Sequence, residues 1–110
     1  MAETVQITDA NFDQEVKQSP IPAVVMFKSM GCPHCTKMLP VFQETAGKYS
    51  DNVKFGVADV SEGRETATGF GIMGVPTMVL MKDGELIDKV VGAVSKEKLK
   101  SAIDEKLLQK

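Results

Sequence analysis

Gly31-Cys32-Pro33-His34-Cys35 holds both cysteines and the only histidine of the chain. Thiols three positions apart lie on one side of a helix, and at that spacing their sulfurs can bond. Pro33 suits a first helical position, where a backbone N–H would lack a partner anyway. Cys32 would then cap the helix start. Free N–H groups and the positive end of the macrodipole there favour a thiolate, the nucleophilic form of cysteine. The stretch therefore describes a reactive dithiol. Two other uses of the pair are weaker. A structural bridge closing so short a loop would contribute roughly 2 kcal/mol. A closed zinc site needs about four ligands, and His34 is the only further ligand at hand, so the site would have to be shared between chains. No metal is expected, and a redox dithiol is the stronger reading.

The chain around this pair has 110 residues, which predicts one domain, 1–110, of ordinary size. Such a chain buries about two-thirds of its unfolded surface and needs no disulfide to fold. Its 43% apolar and 25% charged residues are those of a soluble globular protein. The net charge of -2 argues against nucleic acid as a partner. Glu3, Asp9, Asp13 and Glu15 crowd an N-terminus without an apolar run, which argues against a secretory leader. Ala23 to Phe27 is the longest unbroken apolar run, far too short to span a membrane. The expectation is a cytoplasmic protein, where a CxxC pair is more often catalytic or metal-binding than structural.

Several elements must position the dithiol. Thr4 to Ile7 reads as a short strand, and Thr8, Asp9 and Asn11 offer capping side chains for a helix to about Gln18 that buries Phe12 and Val16. Ser19-Pro20-Ile21-Pro22 is a rigid connector. Ala23 to Phe27, apolar and β-branched, predicts a central strand. A helix from about Pro33 to Tyr49 carries Met38, Phe42, Ala46 and Tyr49 as an apolar stripe, with Pro40 inside it. Val53, Phe55 and Val57 alternate as a strand ending near Val60. Strand, helix and strand form a right-handed βαβ unit, with the CxxC at the carboxyl end of its first strand, where open α/β sheets place their sites. Ser61 to Phe70 reads as a short helix, and Gly71 to Pro76 as a loop. Thr77 to Met81 and Leu86 to Val91 are strands joined by the Asp83-Gly84 hairpin signal. Ser95 caps a last helix with Leu99, Ile103 and Leu107 on one face.

Phe27, the CxxC, Pro40, Val75-Pro76-Thr77, Lys82-Asp83-Gly84 and Val91-Gly92-Ala93 together resemble the thioredoxin family along the whole chain. The resemblance implies an α/β thioredoxin fold, a mixed five-stranded sheet flanked by about four helices. It implies a cis peptide before Pro76, beside the Cys32 sulfur. It assigns Cys32 as nucleophile and Cys35 as the resolving thiol. It also implies a docking groove formed by Gly31, Met73, Gly74, Val75, Val91, Gly92 and Ala93. The implied activity is protein-disulfide reduction without a bound cofactor. Recycling would come from a flavin-containing thioredoxin reductase that draws on NADPH, and the partners would be disulfide-containing proteins. A monomer is expected.

Departures from the family pattern carry their own expectations. Gly31 stands where tryptophan is usual, and the chain has no tryptophan. Pro33-His34 replaces Gly-Pro, and Met26 and Val57 stand where a buried acid and a lysine are usual. Pro-His is the dipeptide of DsbA-type thiol oxidants, and GCPHC most resembles the atypical thioredoxins called desulfothioredoxins. His34 is expected to tune the site by donating to the Cys32 thiolate or by carrying positive charge. Loss of the buried carboxylate acts in the same direction. A tenfold gain in thiolate stability is about 1.4 kcal/mol, or about 30 mV for a two-electron couple, so two such steps give at most about 60 mV. The disulfide should therefore be more oxidising than usual. Without the acid, Cys35 must lose its proton to water, His34 or a nearby carboxylate, for which Asp59 is the candidate. Met30 and Met73 flank the site as a possible apolar rim. Alternative readings are a thiol oxidant or isomerase, and a partner-binding module without redox turnover.

Overall fold

Ala23 to Phe27 is apolar at every position, and a strand of that kind needs cover on both faces. In the computed structural model, which describes residues 4–49 and 51–108, this stretch is the middle strand of a mixed five-stranded sheet. The elements run β1 (Thr4–Ile7), a π-type turn (Asp13–Lys17), β2 (Ala23–Lys28), α1 (Pro33–Tyr49), β3 (Lys54–Asp59), α2 (Arg64–Gly69), β4 (Thr77–Lys82), β5 (Glu85–Val91) and α3 (Lys96–Ile103). The last helix continues as a second π-type turn, Asp104–Leu108. Strand order is β1-β3-β2-β4-β5. β3 is parallel to β1 and β2, whereas β4 is antiparallel to β2 and β5.

Alternation along β2 and β4 divides the core in two. Val24, Met26, Met78 and Leu80 face α1 and α3, where Met38, Phe42, Leu99 and Ile103 pack on them. Val25, Phe27, Val79 and Met81 face the other side, covered by Phe12 and Val16 of the first turn and Ala67 of α2. The sheet therefore lies between two helical layers. No helix among the described residues is long and apolar enough to cross a membrane.

Two local expectations change. Asp9 was a candidate cap for the helix that follows it, but it reaches α2 instead. Its carboxylate accepts from Thr66 N at 2.9 Å, Glu65 N at 3.1 Å and Thr66 Oγ1 at 2.7 Å. Asn11 stays local, with its Oδ1 accepting from Thr8 N at 2.7 Å. Left without a side-chain cap, the first helix is a single turn. At the far end, Leu99, Ile103 and Leu107 repeat every fourth residue, which overshoots the 3.6-residue α-turn. The wider final turn keeps Leu107 on the buried stripe. Ser95 caps α3, its side chain accepting from Lys98 N at 3.1 Å.

β1 and β3 approach so closely at Gly56 that a Cβ there would lie 2.6 Å from Ile7 Cγ1. Ile7 is itself buried and has no room to retreat. Gly56→Ala should therefore lower the unfolding free energy by about 1–3 kcal/mol, read from chemical denaturation. An unchanged midpoint would mean that Ile7 moves aside at no cost.

Candidate redox site

The buried run of β2 fixes where the dithiol stands. After Lys28 the chain turns through Ser29-Met30-Gly31, and α1 begins at Pro33. Gly31 has φ +77°, a left-handed conformation that L side chains rarely adopt, so glycine suits this turn. Pro33 has no N–H to satisfy. The next free donors of the helix turn back to Cys32. Cys35 N donates to Cys32 Sγ at 3.2 Å, and Thr36 N donates to the Cys32 carbonyl at 3.1 Å. Cys32 is therefore the cap of α1 and is half-buried, whereas Cys35 is buried, 3% exposed.

Across from the cysteines, the Val75–Pro76 peptide bond is cis. The Cys32 thiol donates to the Val75 carbonyl, with sulfur and oxygen 3.8 Å apart. Thr77 Oγ1 donates to the Gly74 carbonyl at 2.7 Å, and Gly92 N donates to the Pro76 carbonyl at 2.8 Å. Val91 pairs with Thr77 across the β4–β5 ladder. These contacts bring Gly74, Val75, Pro76, Val91 and Gly92 together beside Cys32. Met30 and Met73 are 91% and 97% exposed and Val91 69%, three exposed apolar side chains on the segments that flank the site. Gly31 and Gly74 have open space above them. Ala93 is exposed, and no hydrogen bond ties it to the Cys32 loop among the described residues.

The two thiols lie in opposite surroundings. Burial first, and then the neighbouring Cys32, pushes the Cys35 thiol above its usual value. A backbone hydrogen bond from Ser29 and the charge of Lys28 act the other way. Met26 is wholly buried in the cluster that holds Cys35. Thr45 and Thr77 are the only polar residues buried among those described, so no buried carboxylate stands beside Cys35. Lys28 and Asp59 pair across β2 and β3, one strand step beyond Met26 and Val57 on the same face. Their Nζ and Oδ2 lie 3.6 Å apart. Asp59 Oδ1 also accepts from Ser61 N at 2.9 Å and Ser61 Oγ at 2.7 Å. These Ser61 bonds, followed by the Lys28 charge, hold the Asp59 carboxyl below its usual value. Asp59 is a carboxylate already committed to partners and a poor acceptor for the Cys35 proton.

His34 is exposed, and its ring makes no hydrogen bond among the described residues. The donor to the Cys32 sulfur is the Cys35 backbone, so the route left to His34 is its charge. No group of three or more His, Cys, Asp or Glu among the described residues could hold a metal ion. Sequence reasoning overlooked Lys28 and Ser29 as neighbours of Cys35. The signal for Lys28 was present, as a lone charge ending an apolar strand.

If Cys35 carries out the second step of an exchange, a thiol raised in this way should set the pH dependence of that step. Below the Cys35 value, the thiolate fraction rises about tenfold per pH unit. Release of a partner from Cys32 by Cys35 should accelerate with that slope from neutral into alkaline pH, followed by rapid quench and mass analysis. A flat profile would contradict the assignment. Asp59→Asn should leave the release rate within about threefold, as expected for a partly exposed pair worth little; a larger loss would restore Asp59 as the proton acceptor.

The Thioredoxin family model matches residues 3–105. Thioredoxin 1 of Synechococcus elongatus is 40% identical over 107 residues, covering 97% of this chain and 100% of that protein. Thioredoxin of Staphylococcus haemolyticus is 40% identical over 103 residues, 94% of this chain and 97% of its own length. Thioredoxin 1 of Nostoc sp. is 35% identical over 107 residues, 97% and 100% of the two chains. With the dithiol at the start of α1 and the mixed sheet behind it, the chain belongs to the thioredoxin family of disulfide oxidoreductases.

Proposed function

We propose that the chain is a thioredoxin-type protein-disulfide reductase with a CPHC site less reducing than that of ordinary thioredoxin. The observation that carries the reading is the Cys32 sulfur, capped by the Cys35 N–H at 3.2 Å and facing the Val75 carbonyl at 3.8 Å. Cys32 attacks one sulfur of a partner disulfide, and the other partner sulfur leaves as a thiolate and takes up a proton. Cys35, buried behind it, loses its proton and attacks Cys32. The partner departs as a dithiol and a Cys32–Cys35 disulfide remains, so two electrons have passed to the partner. The Val75 backbone and the cis Pro76 seat the partner as an added strand. No backbone hydrogen bond within the chain occupies the Val75 N–H among the described residues.

The chemistry rests on the two sulfurs, so no bound cofactor is needed. Reduction of the Cys32–Cys35 disulfide falls to a flavin-containing thioredoxin reductase that uses NADPH. The setting is the cytoplasm and the working form a monomer, with disulfide-bearing proteins as substrates. His34 next to Cys32 and Met26 next to Cys35 both favour the reduced dithiol over the disulfide. Both support a reading of the chain as a desulfothioredoxin-like thioredoxin. The same two residues support a second reading, in which the disulfide form oxidises partner thiols.

Cys32→Ser should bring exchange with insulin or a disulfide peptide down to background. Cys35→Ser should instead accumulate a covalent adduct through Cys32, visible by mass and released by dithiothreitol. Absence of both effects would refute the assignment and leave a binding module without redox turnover.

A further inference from the structure

A pocket of about 420 Å³ opens on the α2 side of the Met73-Gly74-Val75 segment, whose Val75 carbonyl lies 3.8 Å from the Cys32 sulfur. Its walls include Val60, Ala67, Ile72 and Val75, and Ser29, Ser61 and Thr68 bring hydroxyl groups to it. Arg64 is the only charged residue that lines it among the described residues. Glu65 lines a separate pocket with Asp9 and Phe12, and three other nearby acidic groups are engaged elsewhere. Asp59 is held by Lys28 and Ser61, Asp9 caps α2, and Glu62 accepts from Gln6. Arg64 itself makes no ion pair or hydrogen bond among the described residues. A guanidinium beside hydroxyls and apolar walls is suited to a carboxylate on a short aliphatic stem.

Resting on the disulfide-reductase reading above, we infer that this pocket is a specificity site for an acidic side chain of the protein substrate, two residues from the attacked cysteine. The position follows from strand geometry. A partner strand laid along Val75 turns its cysteine towards Cys32, and in an extended chain only residues two apart share a face. That places the neighbouring side chain about 7 Å from the cysteine, over the pocket that Val75 walls on one side. Open space at Gly74 lets the partner backbone approach. Glutamate there meets Arg64, whereas lysine there meets a like charge.

The test uses symmetric disulfide dimers of single-cysteine peptides, with Glu, Gln or Lys two residues before or two residues after the cysteine. Reduced protein is added in excess. In one turnover the protein dithiol becomes a disulfide and each dimer becomes two peptide thiols, so electrons and protons balance. At low salt, and at one of the two positions, the Glu peptide should react about threefold faster than its Gln counterpart, the size of a partly exposed charge pair. The Glu-to-Gln rate ratio should fall to about one in Arg64→Gln, and Arg64→Glu should prefer the Lys peptide. A wild-type ratio of one at both positions would overturn the inference, as would a preference that survives Arg64→Gln. Reduction of no peptide at all would overturn the reductase reading and this inference with it.

Discussion

The first turn of a helix carries N–H groups without a partner inside the helix, and at α1 the side chain that answers them belongs to Cys32. Pro33 removes one donor, the Cys32 sulfur takes the Cys35 N–H, and the Cys32 carbonyl takes that of Thr36. The rest of the architecture serves to hold this arrangement. β2 is buried on both faces, so its end is fixed, and Gly31 turns the chain so that α1 starts there. A hydrogen bond to a charged acceptor contributes roughly 1.5–3 kcal/mol, against about 1 kcal/mol for a neutral one. Under the proposed function, the Cys35 N–H would meet a charged acceptor whenever Cys32 acts as a thiolate. A disulfide sulfur carries no charge, and the proposed less reducing site rests on that difference.

Cys35 lies on the opposite side of that balance. It is buried in the apolar layer between α1 and the sheet, with Met26 beneath it. Burial pushes the Cys35 thiol above its usual value, which sets apart two sulfurs only three residues from each other. A buried carboxylate in that layer would add negative charge next to the dithiol. Met26 stands there instead, and Lys28 and Asp59 form an ion pair two residues further along the same strands. The proposed potential rests on this asymmetry, with one sulfur at a helix start and no carboxylate buried beside the other.

Much of this was legible in the sequence because the signals were local. The apolar run Ala23 to Phe27, the proline after Cys32, the Ser95 cap and the Asp83-Gly84 turn each act within a few residues of themselves. Asp83 and Gly84 have φ of +54° and +80°, the turn that matches the twist of paired strands. What escaped acts across the fold. Asp9 caps a helix 56 and 57 residues away, and no spacing rule reaches that far. The engagement of Asp59 by Lys28 depends on strand register, and the Arg64 pocket depends on how α2 meets the loop before Pro76. The hydrogen bond expected from His34 comes instead from the Cys35 backbone, a donor that every helix start supplies and that residue type does not advertise.

The central claim concerns the balance between dithiol and disulfide, so the decisive measurement is the Cys32–Cys35 equilibrium in glutathione buffers. Alkylation and mass report it, because the chain has no tryptophan to serve as a fluorescent probe. The account predicts a potential above the ~−270 mV of ordinary thioredoxin, by up to about 60 mV, with His34→Gly moving it down. A potential at or below the ordinary value, unmoved by His34→Gly, would contradict it and leave a general reductant whose Met26 and His34 tune nothing.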